Sequence, residues 1–266
     1  STLPNVSFNE DTTTTLALDA YVSDVETADA DLLWSVAGNV NIVITINAIS
    51  HVADFSAPAN WHGTETVVFT VDDTDGSTEN LQIDVTVVSV NDAPYVNLTN
   101  VTVDEDSSLT INLDDYVSDD DLVPSSLTWS ATSSAHVVVS IDAGLRTATF
   151  TPVANWFGQE YITLIVDDGN LSSTVNVLVD VVGVNDNPVL SVIADQNATE
   201  MHLFFLQAVA TDADGDTLTF SDNTAIFDID PATGIISFVP DSTHVGTHFI
   251  TITVSDGVSS DSESFT

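Results

Sequence analysis

The chain has 266 residues, with 41 acids against a single cation, Arg146, for a formal charge of −40, which excludes a nucleic-acid backbone or an anionic membrane surface as a fitting partner. There is no cysteine, so disulfides, cysteine-ligated zinc and thiol chemistry are excluded, while 43% hydrophobic residues suffice for packed cores. No apolar run of 18 residues and no charged leader before an apolar stretch occurs, so no membrane insertion is expected in this segment.

The first repeat, expected over residues 1–90, opens with Pro4-Asn5-Val6-Ser7-Phe8-Asn9 and reaches the acid pair Glu10-Asp11. Its closing segment alternates Leu81, Ile83, Val85 and Val87 with Gln82, Asp84 and Thr86, a period of two that predicts a half-buried strand. Val90-Asn91-Asp92-Ala93-Pro94 follows. Proline cannot donate to a ladder and biases the residue before it to an extended shape, so the strand is expected to leave one unit and enter the next almost straight.

The second repeat, expected over 91–184, copies the first at a constant offset of 95: Glu105-Asp106 after Glu10-Asp11, and Asp114 to Asp119 after Asp19 to Asp24. Trp129 follows Trp34, Asn155-Trp156-Phe157-Gly158 follows Asn60-Trp61-His62-Gly63, and Val166-Asp167-Asp168 follows Val71-Asp72-Asp73. One offset held across this many blocks marks an internal repeat. Its last strand alternates through Val175, Val177, Val179 and Val181, and a second linker, Val184-Asn185-Asp186-Asn187-Pro188, comes next.

The third repeat, 185–266, is a cousin of the others. It carries the acidic run Asp212, Asp214 and Asp216, the block Phe227-Asp228-Ile229-Asp230-Pro231-Ala232-Thr233-Gly234, and Asp256-Gly257, but no Asn-Trp-x-Gly. Its last strand reads as incomplete at Thr266. The expectation is a window on a longer chain, or a subunit whose edge a neighbour's strand completes in a head-to-tail filament. No segment sustains a helical apolar period. About seven short strands per ~90 residues predict an all-β chain of three sandwiches end to end, an elongated rod, with Trp34, Trp61, Trp129 and Trp156 as packing residues.

The Asn-Asp-x-Pro linkers, the acid pair near each start, the Asp-x-Asp loop and the Asp-Gly before the last strand resemble cadherin-type repeats. The first two units are most similar to the cadherin-like tandem repeats of bacterial and archaeal surface proteins, and the third resembles the dystroglycan-type variant. The resemblance implies Ig-like Greek-key sandwiches with Ca2+ at each joint. One joint would use Glu10, Asp11, Asn91, Asp92, Asp119, Asp121 and Asp167. The other would use Glu105, Asp106, Asn185, Asp186, Asp212, Asp214 and Asp256. The family's Asp-Arg-Glu ligand block is missing; Asp241, Asn60 and Asn155 stand nearest its place.

The physical case for a metal is independent of that resemblance. Calcium takes about six to eight oxygens, clustered carboxylates supply them, and magnesium's strict octahedral demand fits such a set poorly. Asp212 to Asp216 begins like an EF-hand loop, but Thr217 and Asn223 stand where glycine and the bidentate glutamate belong. The six histidines (His51, His62, His136, His202, His244, His248) share no repeat position, and no phosphate loop or nucleophile elbow occurs, so no enzyme is expected. Asn5, Asn97, Asn100, Asn170 and Asn197 head glycosylation triplets, which suits a glycoprotein. The sum is a calcium-rigidified extracellular rod of a microbial surface, structural or adhesive, acting as stalk, spacer or filament subunit. Its partners would be other copies, further repeats or surface glycans. The alternative is a carbohydrate-binding module array of a secreted enzyme.

Overall fold

The structure is a computed structural model and describes residues 2–266; Ser1, at the start of the expected first repeat, lies outside them. Among the described residues there are strands and short 3-10 turns, with no α-helix, and no helix is long and apolar enough to cross a membrane. The chain divides into two compact units.

The first unit comprises residues 2–95 with Ser118–Leu127 and Asp167–Ser173. It holds a four-stranded sheet in the order Val6–Asn9, Thr78–Val88, Gly63–Asp72, Leu33–Ala37, and a three-stranded sheet in the order Thr14–Ala17, Val52–Ser56, Val43–Ile46. Val6–Asn9 runs parallel to its neighbour, with Val6 opposite Val85; the other pairs are antiparallel. Period-two alternation turns Val67 and Phe69, and Leu81, Ile83 and Val85, inward on adjacent strands. They meet Leu18, Ala53 and Phe55 from the other side, and Phe55 and Phe69 lie 6.3 Å apart. Burying each of these large side chains contributes roughly 1.5–3 kcal/mol.

The second unit comprises Val96–Val117, Thr128–Val166 and Thr174–Thr266 and contains two separate cores. Around the first, strands Thr128–Thr132, Gly158–Asp167, Ser172–Val182 and Asn100–Asp104 form one sheet and Leu109–Asn112, Thr147–Pro152 and Val137–Asp142 the other, repeating the arrangement of the first unit. Around the second core lie Thr219–Asp222, Ile250–Ser255 and Ser260–Phe265, with Phe204–Gln207 paired to Ile235–Phe238. Ser260–Phe265 pairs along all six residues of Ile250–Ser255 and buries Phe265, whereas the matching strands Thr78–Val88 and Ser172–Val182 are 11 residues long.

Trp34 and Trp61 pack on the core of the first unit, and Trp129 and Trp156 on the core around Phe150 in the second unit. The lone cation is used internally. Arg146, at φ 52, places its Nε 2.9 and 2.8 Å from the two Asp114 carboxylate oxygens, while Leu113 N–H donates to its carbonyl. In the first unit His51, at φ 46, holds the same corner: its Nδ1 is 2.8 Å from Asp19 Oδ1 and its carbonyl accepts from Leu18 N–H.

Candidate metal centres

Each linker meets the first acid of its repeat in the same way. After Val6–Asn9 the chain stays on the sheet for one residue, so Glu10 N–H donates to Val88 O at 2.9 Å; Glu105 N–H does the same to Val182 O at 2.9 Å. The next residue, Asp11 or Asp106, takes a left-handed φ of 57 or 56, which aspartate tolerates better than most residues. That turn sends the glutamate side chains inward, to 3% and 2% exposure. Val90 N–H donates to Glu10 Oε1 and Val184 N–H to Glu105 Oε1, both at 2.7 Å.

The linker acids reach the Asp-x-Asp loops. Asp92 N–H donates to Asp121 Oδ2 at 2.8 Å, and Asp186 N–H to Asp214 Oδ2 at 2.7 Å. Asp119 Oδ1 accepts from the N–H groups of Asp121 and Leu122, and Asp212 Oδ1 from those of Asp214 and Asp216, so each loop is folded on its own first carboxylate. Asn60 N–H donates to Asp11 Oδ1 at 3.2 Å and Asn155 N–H to Asp106 Oδ1 at 2.9 Å. The Asn-Trp-x-Gly blocks thus support the sites through their backbones. Asn60 Nδ2 also donates to Asp120.

The linker asparagines reach one acid beyond the expected set. Asn91 Nδ2 donates to Asp168 Oδ2 at 2.7 Å, and Asn185 Nδ2 to Asp256 Oδ2 at 3.0 Å. Asp167, the expected ligand, accepts from Gly169 N–H at 2.8 Å in its own turn. Asp168 and Asp256 each stand directly before the turn glycine. Asp216 is a second addition: carboxylate oxygens of Asp212, Asp214 and Asp216 lie within 4.8 Å of one another, as do those of Glu105, Asp186 and Asp214. Asp241 instead caps the turn Ser242–His244.

Among the described residues the one lysine or arginine, Arg146, is committed to Asp114 and answers none of these carboxylates. Among the described residues, seven buried side-chain polar atoms lack a hydrogen-bond partner: the indole nitrogens of Trp34 and Trp129, and five carboxylate oxygens. The five are Glu10 Oε2, Asp119 Oδ2, Glu105 Oε2, Asp186 Oδ2 and Asp212 Oδ2, all of them at the two linkers. Leaving such an oxygen dry and unpaired is costly. Two carboxylates 4 Å apart add repulsion of roughly 4 kcal/mol at an effective dielectric of about 20. Burial, then the charges of Asp11, Glu10, Asp121 and Asp120, holds the Asp92 carboxyl above its ordinary value. Burial, then Asp106, Asp214, Glu105 and Asp212, does the same to Asp186. Asp168 and Asp256 are pushed the other way, chiefly by the N–H groups of Leu171 and Ser259 and also by the linker asparagines. An all-oxygen, strongly acidic donor set with unpartnered buried oxygens fits a hard divalent cation.

Nothing comparable surrounds the histidines. His136 Nδ1 bonds Glu160 at 2.6 Å and its ring stacks on Trp156 at 4.5 Å, and His248 Nε2 lies 3.0 Å from the His244 carbonyl. His62 alone touches a site, with Nδ1 at 3.6 Å from Glu10 Oε2.

A family model described as a bacterial Ig domain matches residues 91–180 and 185–266. Among solved structures the chain is similar to human CDH23 EC21-23, at 15% identity and a TM-score of 0.60, over 100% of this chain and 97% of that one. It is also similar to protocadherin gamma B2 extracellular cadherin domains 3-6, at 16% identity and a TM-score of 0.56, over 99% and 70%. Protocadherin gamma B7 extracellular cadherin domains 1-4 give 16% identity and a TM-score of 0.53, over 99% and 73%. At these identities the likeness is one of fold: all-β, tandem Ig-like and cadherin-like sandwiches. No curated protein matches the chain. With about two thirds of its length matched by that model, the chain belongs to the bacterial Ig domain family.

Proposed function

We propose that the chain is a non-catalytic extracellular rod of a microbial surface, structural or adhesive, whose three sandwiches (1–90, 91–184 and 185–266) are clamped end to end by calcium. The observation that carries this reading is that, among the described residues, all five buried carboxylate oxygens without a hydrogen-bond partner lie on the linkers or on the acids and loops bonded to them. One site would be held by Glu10, Asp11, Asp92, Asp119 and Asp121, with Asn91 and Asp168 closing the loop beside it. The other would be held by Glu105, Asp106, Asp186, Asp212, Asp214 and Asp216, with Asn185 and Asp256. Bound calcium supplies positive charge and oxygen coordination. The chain's own residues do the rest: the glutamates anchor the linker through Val90 and Val184, and the Asp-x-Asp loops fix the linker backbone.

As a stalk, spacer or filament subunit the rod would work by holding its length. Small-angle scattering with calcium and then with excess chelator tests this. The maximum dimension should fall, and the profile should change to that of a bending chain, when calcium is removed. An unchanged profile would overturn the reading. A carbohydrate-binding array gains nothing from the tryptophans, since all four pack on cores. The five acceptor asparagines are exposed, and glycosylation would show as an intact mass above 28.2 kDa in native material.

A further inference from the structure

The two linkers are built alike, but the residue beside the buried glutamate differs. In the blocks Asn60-Trp61-His62-Gly63 and Asn155-Trp156-Phe157-Gly158, His62 and Phe157 hold the same position. A Cβ built on Gly183 would meet Phe157 Cγ at 3.4 Å and Glu105 Oε1 at 3.5 Å, so an apolar ring and the glutamate share the space over Gly183. At the first linker an imidazole comes to the glutamate instead. His62 Nδ1 lies 3.6 Å from Glu10 Oε2, too far for a hydrogen bond. Glu10 is buried, and its Oε2 has no hydrogen-bond partner. The His62 side chain is 52% exposed, so its ring is open to solvent. A buried, unanswered carboxylate oxygen thus faces an accessible nitrogen donor.

The spacing suits one shared ion. Zinc takes imidazole nitrogen at about 2.0–2.1 Å and carboxylate oxygen at about 2.0–2.2 Å, in tetrahedral geometry. Two such ligands stand about 3.3–3.5 Å apart, so the observed 3.6 Å needs only a small adjustment. Burial and then the charges of Asp11 and Glu10 raise the Asp92 carboxyl, which places a further carboxylate near the pair. The nitrogen donor separates this linker from the other. Calcium takes oxygen ligands, whereas imidazole suits zinc, copper, iron and nickel. Among the described residues, the grouping at the second linker is of carboxylates alone, Glu105, Asp186 and Asp214, with oxygens within 4.8 Å of one another.

We propose that His62 and Glu10 together bind a first-row transition metal ion of the zinc class at the first linker, an ion that the second linker, with Phe157 in that place, does not take. This rests on the reading of the linkers as metal centres and gives the first of them a second kind of ion. Glu10 would serve both ions, so zinc and calcium compete there.

The test is calorimetric titration of the metal-free 266-residue chain with zinc chloride and, separately, with calcium chloride, in the wild type and in His62→Phe, which copies the second repeat. The wild-type chain should show a zinc site that His62→Phe weakens at least about tenfold, since losing a ligand costs no less than the roughly 10–100-fold of an outer-shell partner. Calcium should bind both chains alike, because it draws on oxygens. In the wild type, zinc should shift the ring resonances of His62 before those of the other histidines. Should His62→Phe lose calcium as well, His62→Gln keeps a polar side chain at this exposed position and should show the selective loss of zinc. Equal zinc affinity in the wild type and the variant, ring shifts that begin at another histidine, or loss of both ions alike in the two variants would overturn the proposal and leave calcium binding by the wild-type linkers standing. A wild-type chain that binds neither ion would overturn the linker reading with it.

Discussion

A buried carboxylate oxygen needs a donor or a cation, and Glu105 Oε2 has neither among the described residues. Glu105→Gln should therefore have two opposite effects. Calcium affinity should fall at least about tenfold, or roughly 1.4 kcal/mol, while the chelated chain should melt at the same temperature or higher because one repelling charge is gone. Calorimetry and melting curves with and without chelator separate the two; a fall in both would make the residue a plain packing element. A second expectation concerns pH. Asp92 and Asp186 hold their protons more tightly when folded, so without metal their contribution is complete below the ordinary carboxylate value of 3.8 and is lost as pH rises through their raised values. Asp168 and Asp256 are lowered from 3.8, and Glu160 from 4.5 to about 2, so their contributions are present above those ordinary values and lost as pH falls through the lowered ones. The chelated chain should melt highest in mild acid, and Asp92→Asn with Asp186→Asn should flatten the decline toward neutrality. A melting temperature that climbs steadily to about pH 8 would contradict this. The acid pairs and linker acids were legible because they recur. That Asn91 donates to Asp168 was not, since adjacent acids are separated only by how the Asp-Gly turn aims them.

At the scale of elements, period two marked Leu81 to Val87 and Val175 to Val181 as strands, and both carry inward-facing cores. The parallel pairing of Val6–Asn9 with Thr78–Val88 joins residues as far apart in sequence as Val6 and Val85 and leaves no local pattern to read. Phe150 is fully buried between the two sheets of its sandwich, so Phe150→Ala should cost about 3–5 kcal/mol. Tyr161 is 68% exposed, and Tyr161→Ala should change stability by no more than about 0.5 kcal/mol. Denaturant titration measures both, and equal costs would mean that the sheets do not face each other as described.

For the whole molecule the governing quantity is a charge of −40 with Arg146 already committed to Asp114. Composition announced that imbalance at once; the placement of buried carboxylate oxygens without hydrogen-bond donors around the two linkers, among the described residues, required the fold. If those sites are metal centres, calcium that binds only the native chain stabilises it by mass action, by about 2.7 kcal/mol at a hundredfold excess over Kd. The most direct measurement is the melting temperature of the chain across a calcium titration, beside the Asp92→Asn, Asp186→Asn double variant. A saturable rise of several degrees in the wild-type chain, largely absent from the variant, is the expected result. Identical melting in thorough chelation and in millimolar calcium would contradict the account.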